Sequence, residues 1–331
     1  MEHFLSICIT SYNRVFELER TLRSIDYFDD VEIVISEDCS PRRMEIKEMV
    51  ERVGAELNLN ILLNLNEINL GYDNNLGKLK EIAGGKYVLY MSDDDVFVPG
   101  ALEALCKYLK SSDIACGFTP FFVKGRLYRK YKKGFSVSSG LEGKEKNIYD
   151  AILFSGLIFR NELIKSIDSS RFRNCNYFQV YMLLVVLSQY GGEYIDIPLV
   201  DCISDGENAF GKVTSCDGAD TEMSDRKSIF AALALQKGLI KVIKMFDEDY
   251  NAGLLGIYSK NYSKTAFSHM CMAKNEGRLD EYYDKMHKLD IKLGVEPKLY
   301  YFMLKILGVK VSTMIMSLPR KLYRNKRMNA V

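Results

Sequence analysis

An α/β fold, with a mostly parallel sheet flanked by helices and a helical C-terminal extension, is predicted by three features of this sequence. Over roughly the first 120 residues, short apolar runs alternate with segments of helical period, the pattern of strands covered by crossover helices. Three of those runs break off into polar loops, at Thr10, Asp38 and Asp93, and right-handed crossovers bring such strand ends to one edge of a sheet. From about Ser228 onward the apolar spacing is helical throughout.

Taken in order, Leu5 to Ile9 is the first strand, and it leads into the loop Thr10-Ser11-Tyr12-Asn13-Arg14. Val15, Leu18, Leu22 and Ile25 then recur on one helical face. Val31 to Ile35 is the second strand, ending in Ser36-Glu37-Asp38-Cys39-Ser40. Ser40-Pro41 reads as a helix start, with serine as N-cap and proline where its missing N–H costs nothing. Asn60 to Asn64 supplies a third strand, and after a polar loop a helix with Tyr72, Leu76, Leu79 and Ile82 on one side ends at Gly84-Gly85. Tyr87 to Met91 is the fourth strand, followed by a helix from Pro99 to Lys110. Further on, Phe121 to Val123, Ile152 to Phe159 and Tyr194 to Val200 are expected as strands, and Tyr177 to Tyr190 as a buried helix. The glycine-rich stretch Asp201 to Asp225 is expected to be a long functional loop. Helices are expected from Ser228, over Leu254 to Ala273 and over Leu279 to Leu289.

Composition excludes several classes. With 331 residues, 47% hydrophobic, 27% charged and a net charge of +1, the chain is neither disordered nor a nucleic-acid binder by bulk charge. Its eight cysteines contain no C-x-x-C pair, so reduced thiols in a cytoplasmic protein are expected. The amino terminus lacks a basic n-region, so no secretory signal is expected there. His3, His269 and His287 form no zinc spacing.

The chemistry concentrates where the fourth strand runs into Ser92-Asp93-Asp94-Asp95. Three adjacent carboxylates repel one another and suit a strand poorly, so a cation, bound hydroxyls or open water must compensate them. An apolar strand delivering carboxylates to a sheet edge is a way to build an oxygen-ligand site for Mn2+ or Mg2+.

Together these residues resemble the glycosyltransferase A (GT-A) fold, specifically family 2 of inverting nucleotide-sugar transferases, over roughly residues 4 to 200. The series comprises Thr10-Ser11-Tyr12-Asn13-Arg14, Glu37-Asp38, Asn69-x-Gly71, Ala83-x-Gly85, Asp93-Asp94-Asp95 followed by Pro99, and Ser155-Gly156. The resemblance implies a glycosyltransferase domain over 1–224, with a nucleotide-sugar half (1–118) and an acceptor half (119–224), and a helical region over 225–331. It assigns Thr10, Tyr12 and Arg14 to the nucleotide pocket, with Tyr12 stacking on the base, and Asp38 to the N–H of a uracil-type base. Asp93 would hold ribose hydroxyls, and Asp94 with Asp95 would coordinate the divalent cation bridging the donor phosphates. Asn75 and Lys78 lie on the neighbouring helix as candidate diphosphate contacts, or as ordinary exposed residues.

Departures from the family pattern matter. Ser92 stands where many relatives carry Asp, and Leu76-Gly77 where they carry Arg-Asn. The acidic pair expected near Asn176-Tyr177 as catalytic base is missing: no Asp or Glu lies between Arg171 and Tyr190. An inverting displacement needs a group to take the acceptor proton, and Asp205 is the favoured substitute among Asp168, Asp201, Asp205, Glu207 and Asp217.

No acidic residue follows Glu296, whereas Lys298, Lys305, Lys310, Arg320, Lys321, Arg324, Lys326 and Arg327 all do. Lys305 and Lys310 interrupt an apolar run, so residues 298–327 are expected to lie in the interface of an anionic membrane, the alternative being a packing helix with a solvated basic end. The expected activity is sugar transfer from a UDP-type donor to a glycan or lipid-linked acceptor of a bacterial surface polysaccharide, at the inner face of the plasma membrane. The alternatives are an inactive module that binds a nucleotide sugar or a partner and, less well supported, a sugar-1-phosphate nucleotidyltransferase, whose glycine-rich phosphate loop is absent from Thr10 to Arg14.

Overall fold

Strands buried on both faces read as unbroken apolar runs, and such runs build the centre of this protein. The structure, a computed structural model, describes residues 3–203 and 229–328, with side chains through Ser317. In chain order the elements are β1 (Leu5–Ser11), α1 (Val15–Arg23), β2 (Val31–Glu37), α2 (Arg43–Leu57), β3 (Ile61–Leu65), α3 (Tyr72–Ile82), β4 (Tyr87–Ser92), β5 (Asp95–Phe97) and α4 (Ala101–Lys110). There follow β6 (Cys116–Phe118), β7 (Phe121–Val123), β8 (Arg126–Tyr128), β9 (Phe135–Val137), α5 (Asn147–Asp150), β10 (Leu157–Arg160), α6 (Asn161–Ile164), α7 (Phe178–Tyr190), β11 (Gly192–Tyr194) and β12 (Val200–Cys202). Helices α8 (Ile229–Tyr250), α9 (Leu254–Thr265), α10 (Phe267–Asn275), α11 (Leu279–His287) and α12 (Glu296–Met328) complete the chain.

The main sheet has the order β3-β2-β1-β4-β10-β6-β11-β9. Its first four strands are parallel, β10 runs antiparallel between β4 and β6, and β11 is again parallel to β6. The C-terminal ends of β1, β2, β4, β6 and β11 therefore share one edge. A smaller sheet, β5-β12-β7-β8, lies beside it in sequence. Leu5, Ile7 and Ile9 of β1 pack with Leu18 and Leu22 of α1, Ile46 and Val50 of α2, and Leu102 and Leu105 of α4. α3 packs against β1 and β2 and also meets α7. A Cβ on Gly85 would come within 2.6 Å of the Ser6 backbone nitrogen, which accounts for the glycine that opens β4.

Several element boundaries differ from expectation. Helix α2 begins at Arg43 rather than at Ser40-Pro41, because the Glu37 carboxylate takes the Ser40 N–H and a tight turn intervenes. The strand expected over Ile152 to Phe159 is confined to β10, and that over Tyr194 to Val200 is divided into β11 and β12 around Pro198, which has no N–H to donate. By length and composition Glu296–Ser317 could cross a membrane, but α12 is broken at Gly308 (φ 72°, ψ 174°). Ser312 Oγ donates to the Met303 carbonyl at 3.1 Å across that break, whereas nine residues of straight helix span about 13 Å, so the chain turns back on itself.

Among the described residues, one compact unit comprises 3–203 with 241–252, and a second comprises 229–240 with 253–328. All seven described cysteines are free thiols.

Candidate active site

The acidic turn between β4 and β5 is fixed from beneath by α1. Thr21 Oγ1 lies 2.7 Å from the Asp95 carbonyl and 3.1 Å from that of Asp93, and Arg20 Nη2 donates to the Asp94 carbonyl at 3.1 Å. These bonds to the carbonyls hold the backbone of the turn from below, separately from the bonds its carboxylates make. Ser155, from the noted Ser155-Gly156 pair, accepts the Ser92 N–H at 3.0 Å and donates to Asp95 Oδ2 at 2.6 Å. Gly156 has φ +83°, and a Cβ there would lie 2.4 Å from Thr119 Oγ1.

Arg14 Nη1 stands 2.6 Å from Asp93 Oδ1 and 3.2 Å from Asp94 Oδ2, the Tyr12 N–H donates to Asp93 Oδ2 at 3.4 Å, and Ser92 Oγ donates to Asp94 Oδ1 at 2.6 Å. Asp93 and Asp94 are 4% and 6% exposed, so two largely desolvated carboxylates share one guanidinium. Burial pushes the Asp93 carboxyl up to about 6 despite Arg14. Burial, and then the charge of Asp94, pushes Asp95 up to about 7. Of the expected ligand pair, Asp94 faces Arg14 together with Asp93, and Asp95 Oδ2 accepts from Ser155 Oγ and lies 3.6 Å from Cys202 Sγ.

This donor set fits a divalent cation of the Mg2+ or Mn2+ type. Among the described residues no cluster of three or more His, Cys, Asp or Glu side chains forms a complete metal cage. Hard cations of this type are commonly held by one or two carboxylates and completed by substrate phosphates and water, and the uncompensated negative charge of the Asp93–Asp94 pair supplies that part.

Thr10 sits between Ser36 and Ser92 in the β2-β1-β4 register, at the same edge. Asp38 shapes the Asn69-x-Gly71 turn: its Oδ1 accepts from the Leu70 N–H at 2.7 Å and Asn66 Nδ2 at 3.1 Å, and its Oδ2 accepts from the Gly71 N–H at 2.9 Å. Burial raises the Asp38 pKa against those donors. Asn75 is not an exposed arm, because its Oδ1 accepts from Asn66, its Nδ2 donates to the Ser36 carbonyl, and the residue is 2% exposed. Lys78 lies farther along α3, 3.9 Å from Glu81.

Sequence reasoning missed Asp73. Its Oδ2 accepts from the N–H groups of Cys175 and Asn176, and its Oδ1 from those of Tyr177 and Phe178, all at 2.8–3.0 Å, so a carboxylate on α3 caps the start of α7. Burial nonetheless raises the Asp73 pKa to about 6. A bond spanning a hundred residues leaves no local signature. Of the base candidates, Asp205, Glu207 and Asp217 lie outside the described residues, Asp168 is exposed and bonded to Ser170, and Asp201 is on β12.

Residues 6–167 match the family model described as glycosyl transferase family 2. The chain carries a domain of that family. It is 24% identical over 327 residues to the GalNAc(5)-diNAcBac-PP-undecaprenol beta-1,3-glucosyltransferase of Campylobacter jejuni, covering 96% of each chain. It is 26% identical over 227 residues to abequosyltransferase RfbV of Salmonella typhimurium, covering 62% of this chain and 68% of that protein. An uncharacterized protein of Mycobacterium tuberculosis is 30% identical over 142 residues, and the match spans 39% of this chain and 43% of that one. In fold, the chain is similar to S. aureus TarS 1-349 in complex with UDP-GlcNAc (TM-score 0.53, 14% identity, 96% and 92% of the chains). It is likewise similar to the mannosyltransferase PcManGT of Pyrobaculum calidifontis in complex with GDP-Man and Mn2+ (TM-score 0.50, 14% identity, 96% and 88%). The main sheet and its flanking helices are accordingly a GT-A architecture.

Proposed function

We propose that this family 2 chain is an inverting, metal-dependent glycosyltransferase that moves a sugar from a nucleotide-sugar donor to a glycan or lipid-linked acceptor in bacterial surface polysaccharide synthesis. The observation that carries it is the Asp93–Asp94 pair, buried at a strand end with one guanidinium between two carboxylates. The bacterial relatives named as sugar transferases support the substrate class, and the Campylobacter relative, which spans nearly the whole chain, supports a lipid-linked acceptor.

Asp94 is the proposed anchor for Mn2+ or Mg2+, which when bound would neutralise charge on the leaving nucleoside diphosphate. Arg14 and Asp93 would then orient the ribose and phosphate side of the donor, and Tyr12 and Thr10 would border the base. A UDP-type donor is favoured because Asp38 Oδ2 accepts a single backbone N–H and keeps a lone pair for an imide donor. Asp205 is the proposed base, taking the acceptor proton as the new bond forms. The exposed residues Leu299, Phe302, Ile306, Val311 and Met314 on α12, together with the basic sequence that follows, support peripheral attachment to an anionic membrane on its cytoplasmic face.

Incubating the chain with a panel of nucleotide sugars and Mn2+, and measuring release of nucleoside diphosphate, tests this function. Metal-dependent turnover of one donor is expected. Tight donor binding without turnover would favour an inactive module, a second reading that rests on the absence of an acidic residue between Arg171 and Tyr190.

A further inference from the structure

The sheet edge that carries the acidic turn continues into a ring cluster to which no role has been given. Phe118 ends β6, Tyr194 ends β11 and Phe135 opens β9, and the register places these three residues side by side across the strands. Tyr131 stands against them, with its ring centroid 4.8 Å from Tyr194 and 5.0 Å from Phe135, at 69° and 77°. Phe118 and Tyr194 are fully buried, whereas Tyr131 and Phe135 are 38% and 39% exposed, so the cluster has an inner wall and an open face.

Polar groups are built into the same place. Tyr131 Oη donates to Asp150 Oδ1 at 2.9 Å, Asn147 Nδ2 donates to Asp150 Oδ2 at 3.0 Å, and Asp150 is 5% exposed. Arg129 donates to the Thr119 and Leu153 carbonyls at 2.8 and 2.7 Å, tying this corner to the segment that leads into Ser155 and hence to Asp95. From β4 to β11 is three strand steps, or about 14 Å at the usual interstrand spacing, which leaves room for a donor sugar and the acceptor residue it meets.

The geometry points to Tyr131 and Phe135, backed by Asp150, as a saccharide subsite that stacks the C–H face of a pyranose in the acceptor, beyond the reacting residue. This rests on the transferase function proposed above and names a part of its acceptor side. Two half-exposed rings match the apolar face of a sugar, and the Tyr131 hydroxyl, which donates to buried Asp150, keeps a lone pair for one of the hydroxyls on its rim. A lipid chain would make no use of the Tyr131 hydroxyl that Asp150 holds in place.

The test is saturation-transfer NMR of a panel of neutral methyl pyranosides with the full chain, irradiating aromatic protons. At least one pyranoside is expected to receive saturation on its ring C–H protons, with the signal falling at least fivefold in the Y131A/F135A variant and unchanged in Y190A, an exposed tyrosine elsewhere. Y131F, which keeps the ring and loses the contact to Asp150, is expected to retain part of the signal. Absence of transfer to every pyranoside, or an undiminished signal in a Y131A/F135A variant with native circular dichroism, would overturn the subsite. UDP-dependent thermal stabilisation, measured on the same samples, reports on the proposed function separately: its absence in the parent chain counts against the transferase, whereas its presence without saturation transfer to any pyranoside counts against the subsite alone.

Discussion

Replacing Asp73 with Asn tests how the chain balances a buried charge against the donors around it. Four backbone N–H groups at the start of α7 favour the ionised carboxylate, while its 1% exposure favours the neutral form. Burial wins, raising the pKa from 3.8 to about 6. The folded state therefore binds this proton more tightly than the unfolded state, so the associated stability is fully present below pH 4 and is lost as pH rises through about 6. The shift of roughly two units corresponds to about 3 kcal/mol. Asn cannot titrate, and its amide would also set a donor against two of the N–H groups, so the variant is less stable at every pH. The expected gap between parent and variant, from urea denaturation at pH 4.5 and 7.5, is smaller at pH 7.5 by about 2 kcal/mol, because part of the effect is already lost at pH 4.5. A gap that instead widens toward pH 7.5 would show that the four donors outweigh desolvation, and would refute the reasoning.

Other outcomes follow from the same geometry. S155A removes the acceptor of the Ser92 N–H and the hydroxyl donor to buried Asp95, and is expected to cost on the order of 2 kcal/mol by chemical denaturation. G156A sets a Cβ 2.4 Å from Thr119 Oγ1 at a positive φ; a loss of about 2 kcal/mol or more is expected, with partial recovery in G156A/T119A because only the clash is relieved. F302E/I306E places charge on two exposed positions of α12 and is expected to abolish co-flotation with anionic vesicles while leaving the melting temperature unchanged; equal flotation would sink the membrane proposal.

The sequence showed most of what positions the site, for a physical reason: β1, β2 and β4 are buried on both faces, so each reads as a continuous apolar run that stops where the loop begins. The turn of three aspartates was visible because it violates strand propensity. The partners that fix it were less visible. Thr21 and Arg20 lie on a helix whose apolar period gives no hint that its polar face reaches the acidic turn, and only Ser155 had been singled out. Asp73 and Asp150 act through bonds that no local pattern encodes, and Asn75 resembles an exposed helix residue until Asn66 and Ser36 close around it. The run after Glu296 gave no sign of folding back at Gly308, because one glycine within a helical period is compatible with either path.

The proposed transfer depends on the acidic pair at the end of β4 seating a divalent cation that grips a diphosphate. Thermal unfolding of the parent chain and of D94A, each with UDP and with or without Mn2+, tests it most directly. Mn2+ is expected to add stabilisation to the UDP complex of the parent, about 2.7 kcal/mol at a hundredfold excess over Kd, and to add none to D94A. An equal Mn2+ increment in both chains would contradict it.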